Sequence, residues 1–156
     1  MPAHFGAKLR QLREDQRLTL QELAHRLGLT SRSHIANLES GRDRPSLDLV
    51  VRAAVLFGVT TDSLLRDTVP VMDIHAASVR DISAPGVDAA RLGQQVRTLR
   101  QERGLTQTAL AQQLGPAGQS GIAKIERGEK LPSLERIVQL ADVLGVSCDA
   151  LLVPLP

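Results

Sequence analysis

The chain has 156 residues, a net charge of +2 and only two aromatic residues, both Phe. So few rings argue against a single-strand nucleic-acid binder, which stacks bases on aromatic side chains. A lone cysteine rules out an internal disulfide, and neither a membrane span of about 20 apolar residues nor an N-terminal signal core is present, so the expected compartment is cytoplasmic.

Phe5, Leu9 and Leu12 recur at helical spacing and predict a first helix that ends near Arg17. Thr19 reads as the N-cap of a second helix. Glu22, three residues on, completes a capping box, and Leu20, Leu23, Ala24 and Leu27 form the apolar stripe. Gly28 stops that helix. A third helix over 31–39 buries Ile35 and Leu38 and ends before Gly41. Pro45-Ser46 opens a fourth, with Leu47, Val50, Ala54 and Phe57 turned inward and Gly58 as its stop. A short element over 62–65 closes the core.

Residues 67–88 read as an acidic connector, with one Arg against four Asp and with Pro70, Pro85 and Gly86. Val69, Val71 and Ile74 are too apolar for a purely solvated tether. As a flexible coil the connector averages roughly 26 Å end to end, and extended it reaches about 75 Å. It can therefore bridge successive major grooves about 34 Å apart.

Beyond the connector the first block returns. Residues 92–152 align with 5–65 at a constant offset of 87 without a gap, and 25 of 61 pairs are identical. The second set of apolar stripes is Leu92, Val96 and Leu99; then 106–114 with Gly115; then Ile122 and Ile125; then Leu134, Ile137, Val138, Ala141 and Leu144; then Leu151-Leu152. A repeat of this length is a whole domain rather than a solenoid unit. The expected fold is all-α, with domains at 1–66 and 89–156 joined by 67–88. Residues 1–66 carry ten basic against seven acidic residues, and 89–156 eight against six. A mild basic bias on two compact units fits polyanion binding.

Helix two, a glycine-bearing turn and helix three form the most specific constellation. A helix that enters a DNA major groove carries polar tips on its first turn and an apolar face behind, held by a preceding helix across a tight turn. Gly28 and Gly115 fill the turns, and Ile35 and Ile122 supply the anchoring faces. The residues expected to point away are Arg32, Ser33, His34 and Asn37 in copy one. In copy two they are Gln119, Ser120, Gly121 and Lys124. Such side chains suit base edges: Arg for guanine, Asn or Gln for adenine, Ser for either. An ordinary solvated helix face is the competing explanation.

In these residues the chain resembles the Cro/repressor-type (XRE) helix-turn-helix family. Copy one carries Leu18-Thr19-Leu20-Gln21-Glu22-Leu23-Ala24, Leu38-Glu39-Ser40-Gly41 and Pro45-Ser46-Leu47. Copy two carries Leu105-Thr106-Gln107, Gly118-Gln119-Ser120-Gly121-Ile122 and Ile125-Glu126-Arg127-Gly128, then Pro132-Ser133-Leu134. Its segment 118–122 is similar to the recognition helix of phage lambda repressor. The resemblance implies two lambda repressor-like five-helix domains that bind double-stranded DNA. It implies phosphate contacts from Thr19, Arg42 and Arg44 in copy one, and from Thr106, Gln107, Arg127 and Lys130 in copy two. Copy one has Leu20 where Gln107 stands, which removes a hydrogen-bonding side chain. The resemblance also implies architectural ion pairs between helix one and the end of helix three, Arg10–Glu39 and Arg97–Glu126. Arg13 and Arg100 are expected as exposed residues of helix one, with a place near phosphate as the alternative.

His4, His25, His34 and His75 show no metal-ligand spacing, so no metal or other cofactor is expected. Cys148 reads as a partly buried structural residue, with a redox-sensing thiol as the alternative. No nucleophile–base grouping and no Gly-rich phosphate loop after a strand stands out, so no enzymatic activity is expected. With no third domain, no small-molecule pocket is evident. The function expected is that of a cytoplasmic, nucleoid-associated transcription regulator of bacterial or phage type, a repressor, reading two half-sites with two recognition helices. The alternatives are a protein-interaction module such as an antitoxin or anti-activator, or a homodimer in which one copy has been converted to dimerisation.

Overall fold

The computed structural model describes residues 4–66, 68, 86–115 and 118–152, with 118–120 described by backbone alone. Its contacts divide the chain into two compact units that part between residues 84 and 85. Among the described residues every regular element is helical.

The first unit holds α1 (Phe5–Asp15), α2 (Leu20–Arg26), α3 (Arg32–Glu39), α4 (Leu47–Phe57) and α5 (Thr61–Leu65). Hydroxyl caps set the starts. Thr19 and Glu22 form the reciprocal capping box, while Ser31, Ser46 and Thr60 accept from the backbone N–H of Ser33, Leu49 and Ser63. Each such cap is worth about 1 kcal/mol. α1 ends at Asp15, earlier than the periodicity suggested, because Arg17 adopts a left-handed backbone with φ of 55°. Leu9, Leu23, Ala24, Leu27, Ile35 and Val50 are fully buried and meet in one core.

The second unit repeats the plan with α6 (Ala89–Glu102), α7 (Gln107–Gln113), α8 (Gly118–Glu126), α9 (Leu134–Leu144) and α10 (Cys148–Leu152). Asp88 caps α6, so this helix begins three residues ahead of the first apolar position, Leu92. Thr106 and Ser133 cap α7 and α9. Leu92, Val96, Leu110, Ile137, Leu140 and Leu144 are fully buried.

Within each unit the first helix lies against the end of the third at van der Waals limit, and a glycine makes this possible. A Cβ on Gly6 would sit 2.3 Å from the Leu38 carbonyl oxygen, and one on Gly93 2.3 Å from that of Ile125. Only glycine permits that approach.

The ion pairs across this contact differ from the expected ones. Glu39 pairs with Arg13, whose Nε and Nη2 donate to Oε1 at 2.7 Å and Oε2 at 3.1 Å. Arg10 instead faces solvent and donates to Glu14 at 2.8 Å. In the second unit Arg100 donates to Glu126 at 2.6 and 3.0 Å, while Arg97 is exposed. Helix geometry explains the correction. Seven residues after Gly6, Arg13 has drifted only about 20° around the helix, whereas Arg10 lies about 40° to the other side. Arg13 and Arg100 also donate to the Leu18 and Leu105 carbonyls, at 3.0 and 2.7 Å, which fixes each guanidinium in place. Neither is an exposed surface residue: the side chains are only 13% and 10% accessible.

Candidate nucleic-acid interface

α2 and α3 are joined by a turn in which Gly28 takes φ of 70° and the Leu29 N–H donates to the Ala24 carbonyl at 2.8 Å. Ile35 and Leu38 anchor α3 inward, and Arg32, Ser33 and His34 on its first turn are exposed. Ala36 is exposed on the same helix, a position the sequence reading did not single out. Asn37 behaves differently from its neighbours. It is half-buried, its amide donates to Asp43 Oδ2 at 3.2 Å, and its carbonyl accepts the N–H of Arg42 at 2.9 Å. Asn37 therefore shapes the loop that carries Arg42 and Arg44, both exposed.

Thr19 is exposed, but its hydroxyl is engaged on both sides. It accepts from the Glu22 N–H and donates to Glu22 Oε2. The Thr19 backbone N–H, then its hydroxyl, hold the Glu22 carboxyl below the usual carboxylate range. Between the starts of α2 and α3 lies a cleft of about 350 Å³ lined by Thr19, Leu20, Gln21, Arg32, Ser33 and Ala36.

In the second unit Thr106 is an exposed cap like Thr19. Gln107, expected to reach toward phosphate, donates its Nε2 to Glu126 Oε2 at 2.8 Å and joins the Arg100–Glu126 pair. Burial pushes the Glu126 carboxyl up. The hydrogen bonds from Arg100 and Gln107 and the nearby charges of Arg100 and Arg97 outweigh that and leave it below its ordinary value. Gln119 and Ser120 lie on the first turn of α8, and their side chains are outside the described residues. Gly121 is half-buried with no atom within 4 Å of where a Cβ would sit, and Lys124 is exposed. Arg127 and Lys130 are exposed, but Arg127 is paired with Glu129 through both Nε and Nη2. A separate groove of about 380 Å³ in this unit is lined by Leu114, Gly121, Ile122, Leu131, Pro132 and Arg136 among others, where the sequence had suggested no pocket.

Two contacts that seat the helices escaped the repeat alignment, since each occurs in both units at positions one turn apart. Arg136 of α9 donates to the Leu114 carbonyl at the end of α7, at 2.8 Å. In the first unit Arg52 of α4 reaches the equivalent Leu27 carbonyl over a longer 3.4 Å. Arg52 aligns with Gln139 rather than with Arg136. Likewise Lys8 of α1 donates to the Ser63 and Arg66 carbonyls at 2.6 Å, and Arg91 of α6 donates to the Leu152 carbonyl at 2.7 Å. Basic side chains at helix C-termini satisfy orphan carbonyls and complement the dipole.

Among the described residues no group of three His, Cys, Asp or Glu could hold a metal ion, and no helix is long and apolar enough to cross a membrane. Cys148 is fully buried.

Each unit is thus a helix-turn-helix domain, with the turn glycine and the inward anchor in register, and in the first unit the first turn of α3 faces outward. Residues 4–67 match a family model described as a helix-turn-helix domain, and residues 96–151 match a second one described as helix-turn-helix. The chain belongs to the XRE-type helix-turn-helix family of DNA-binding transcription regulators and carries the domain twice. It is 40% identical over 68 residues to a Bacillus subtilis (strain 168) protein named "Uncharacterized HTH-type transcriptional regulator YazB"; the match spans 44% of this chain and 97% of that protein. No solved structure matches the chain.

Proposed function

We propose that the chain is a sequence-specific repressor that reads two half-sites of double-stranded DNA, one with each domain. The observation that carries this is the exposed trio Arg32, Ser33 and His34, borne on a helix whose opposite side is fixed in the core by Ile35 and Leu38. Three polar side chains projecting together from a firmly seated helix suit base edges in the major groove. The second domain offers Gln119, Ser120, Gly121 and Lys124 at the corresponding places, a different set. The half-sites therefore differ in sequence, and the operator is asymmetric. Arg42, Arg44, Arg127 and Lys130 supply phosphate contacts beside each reading helix. A protein that does this works in the cytoplasm, on the nucleoid.

Random-sequence duplex selection with the full chain tests the proposal. It is run in parallel with the double variants Arg32→Ala/His34→Ala and Gln119→Ala/Ser120→Ala. Each variant is expected to lose base preference over a different stretch of the selected sequence. If only the second variant loses preference, copy one does not read DNA and has passed to dimerisation, a role toward which Leu20 in place of the second domain's Gln107 would point. If the full chain selects no duplex and co-purifies with a stoichiometric protein, the protein-interaction alternative replaces DNA reading. A reporter placed behind the selected sequence decides the sign of regulation, with repression expected.

A further inference from the structure

The cleft between the starts of α2 and α3 sets two apolar side chains beside the reading residues Arg32 and Ser33. Four of its lining residues are polar, Thr19, Gln21, Arg32 and Ser33, and two are apolar, the half-buried Leu20 and the exposed Ala36. The second domain keeps three of these six residues, as Thr106, Ser120 and Ala123. It differs at the apolar position, where Gln107 stands for Leu20, at Thr108 in place of Gln21, and at the reading position, where Gln119 stands for Arg32. The Gln107 amide is held against Glu126, so a polar group lies where the first domain presents a branched hydrocarbon.

We propose that Leu20 and Ala36 receive the 5-methyl group of a thymine next to the guanine contacted by Arg32, which makes Leu20 a specificity-determining residue of the first domain. This rests on that domain reading DNA. In the major groove only thymine presents a methyl group; the other bases show donors and acceptors along their edges. A polar edge set against Leu20 and Ala36 would lose its water without gaining a partner. Thymine fits both parts of the site, since its methyl group meets Leu20 and Ala36 while its O4 can accept from the Ser33 hydroxyl. The Thr19 hydroxyl is already committed to Glu22, so it does not compete as a donor at this edge.

The test uses the full chain and duplexes selected from random sequence. Each thymine of the selected duplex is replaced by deoxyuridine, which removes the methyl group alone. One thymine is expected at or beside the base pair whose preference is lost in Arg32→Ala. There the replacement weakens wild-type binding by about three- to fivefold, the worth of one buried methyl group. Leu20→Gln, which installs the side chain the second domain carries at the same place, should bind the thymine and deoxyuridine duplexes equally; circular dichroism checks that it stays folded. The inference is overturned if no thymine near the Arg32-dependent position is sensitive, or if Leu20→Gln keeps the full sensitivity. A full chain that selects no duplex at all overturns the regulator reading as well, whereas a selected duplex indifferent to Leu20 leaves that reading standing and removes this one.

Discussion

At the scale of single residues, the buried ion pair of each domain decides how firmly the reading helix is seated. Glu126 ends α8, its side chain is 3% accessible, and Arg100 and Gln107 together donate three hydrogen bonds to it. Removing one partner of such a pair leaves an uncompensated buried charge. Glu126→Gln is expected to destabilise the second domain by about 3 kcal/mol at neutral pH. The folded protein holds this carboxyl below its ordinary value, so its contribution is fully present above the ordinary carboxylate range. It is lost as the pH falls through that range to the depressed value. The gap between wild type and Glu126→Gln in urea-unfolding midpoints should therefore shrink on acidification. A gap that stayed constant with pH would show that shape rather than charge is what the position requires. Glu39 has Leu20 where Glu126 has the amide of Gln107, so among the described residues it accepts side-chain hydrogen bonds from Arg13 alone.

At the scale of elements, what locks the first helix to the third is an absence of side chain. Gly6→Ala or Gly93→Ala would drive a Cβ into backbone carbonyls, which cannot move aside as a flexible side chain could. Overpacking of this kind costs about 1–3 kcal/mol. It should also tilt α3 or α8 and weaken DNA binding more than stability alone explains, as a gel-shift titration well below the melting temperature would show. The seating arginine gives a second expectation. Arg136→Leu should cost about 1 kcal/mol by freeing the Leu114 carbonyl, and adding Gln139→Arg, which copies the placement of Arg52, should recover most of the lost melting temperature. Failure to recover would mean that the one-turn shift is not equivalent. Such exchanges also mark what the sequence could tell. Helix starts were legible because Thr19, Ser46, Thr106 and Ser133 are hydroxyl caps at a constant offset before apolar stripes. The helix-turn-helix followed from Gly28 and Ile35 with their partners in the second copy. The Arg13 and Arg100 pairings were not legible, since residues three apart on a helix share a face and only packing against α3 or α8 separates them. Arg52 and Arg136 were hidden because an alignment position records residue identity, whereas the equivalent Leu27 and Leu114 carbonyls are reached from successive turns; Lys8 and Arg91 also sit one turn apart and reach different carbonyls at the end of the last helix.

At the scale of the molecule, two domains on one chain are encoded separately, so each can change sequence without the other. The phosphate-side loops show how far they have parted. Arg42 and Arg44 are exposed, with Asp43 turned to Asn37, while Glu129 occupies the guanidinium of Arg127. A phosphate that approaches Arg127 must displace a carboxylate, and the net gain in counterion release is small. Each cation that neutralises a phosphate adds about 0.9 to the slope of log affinity against log salt. Arg42→Ala or Arg44→Ala should therefore each lower the slope by close to that amount. Arg127→Ala should lower it by much less, and Glu129→Ala should raise it as Arg127 is released. Titrations of a selected duplex across a range of salt concentrations measure all four. On the proposed two-headed reading, once one domain is bound the other would sample its half-site at about millimolar effective concentration. Linking two heads raises the overall affinity over either one by about 100- to 10,000-fold, so scrambling one half-site should weaken the full chain by up to that amount. It should also remove the share of the salt slope that belongs to that domain. Scrambling the half-site that depends on Arg32 should then erase the effect of Arg42→Ala while leaving that of Glu129→Ala in place. If the effect of Arg42→Ala survives, the first domain holds phosphate without reading that half-site; if Glu129→Ala has no effect on either duplex, the second domain has no part in binding DNA.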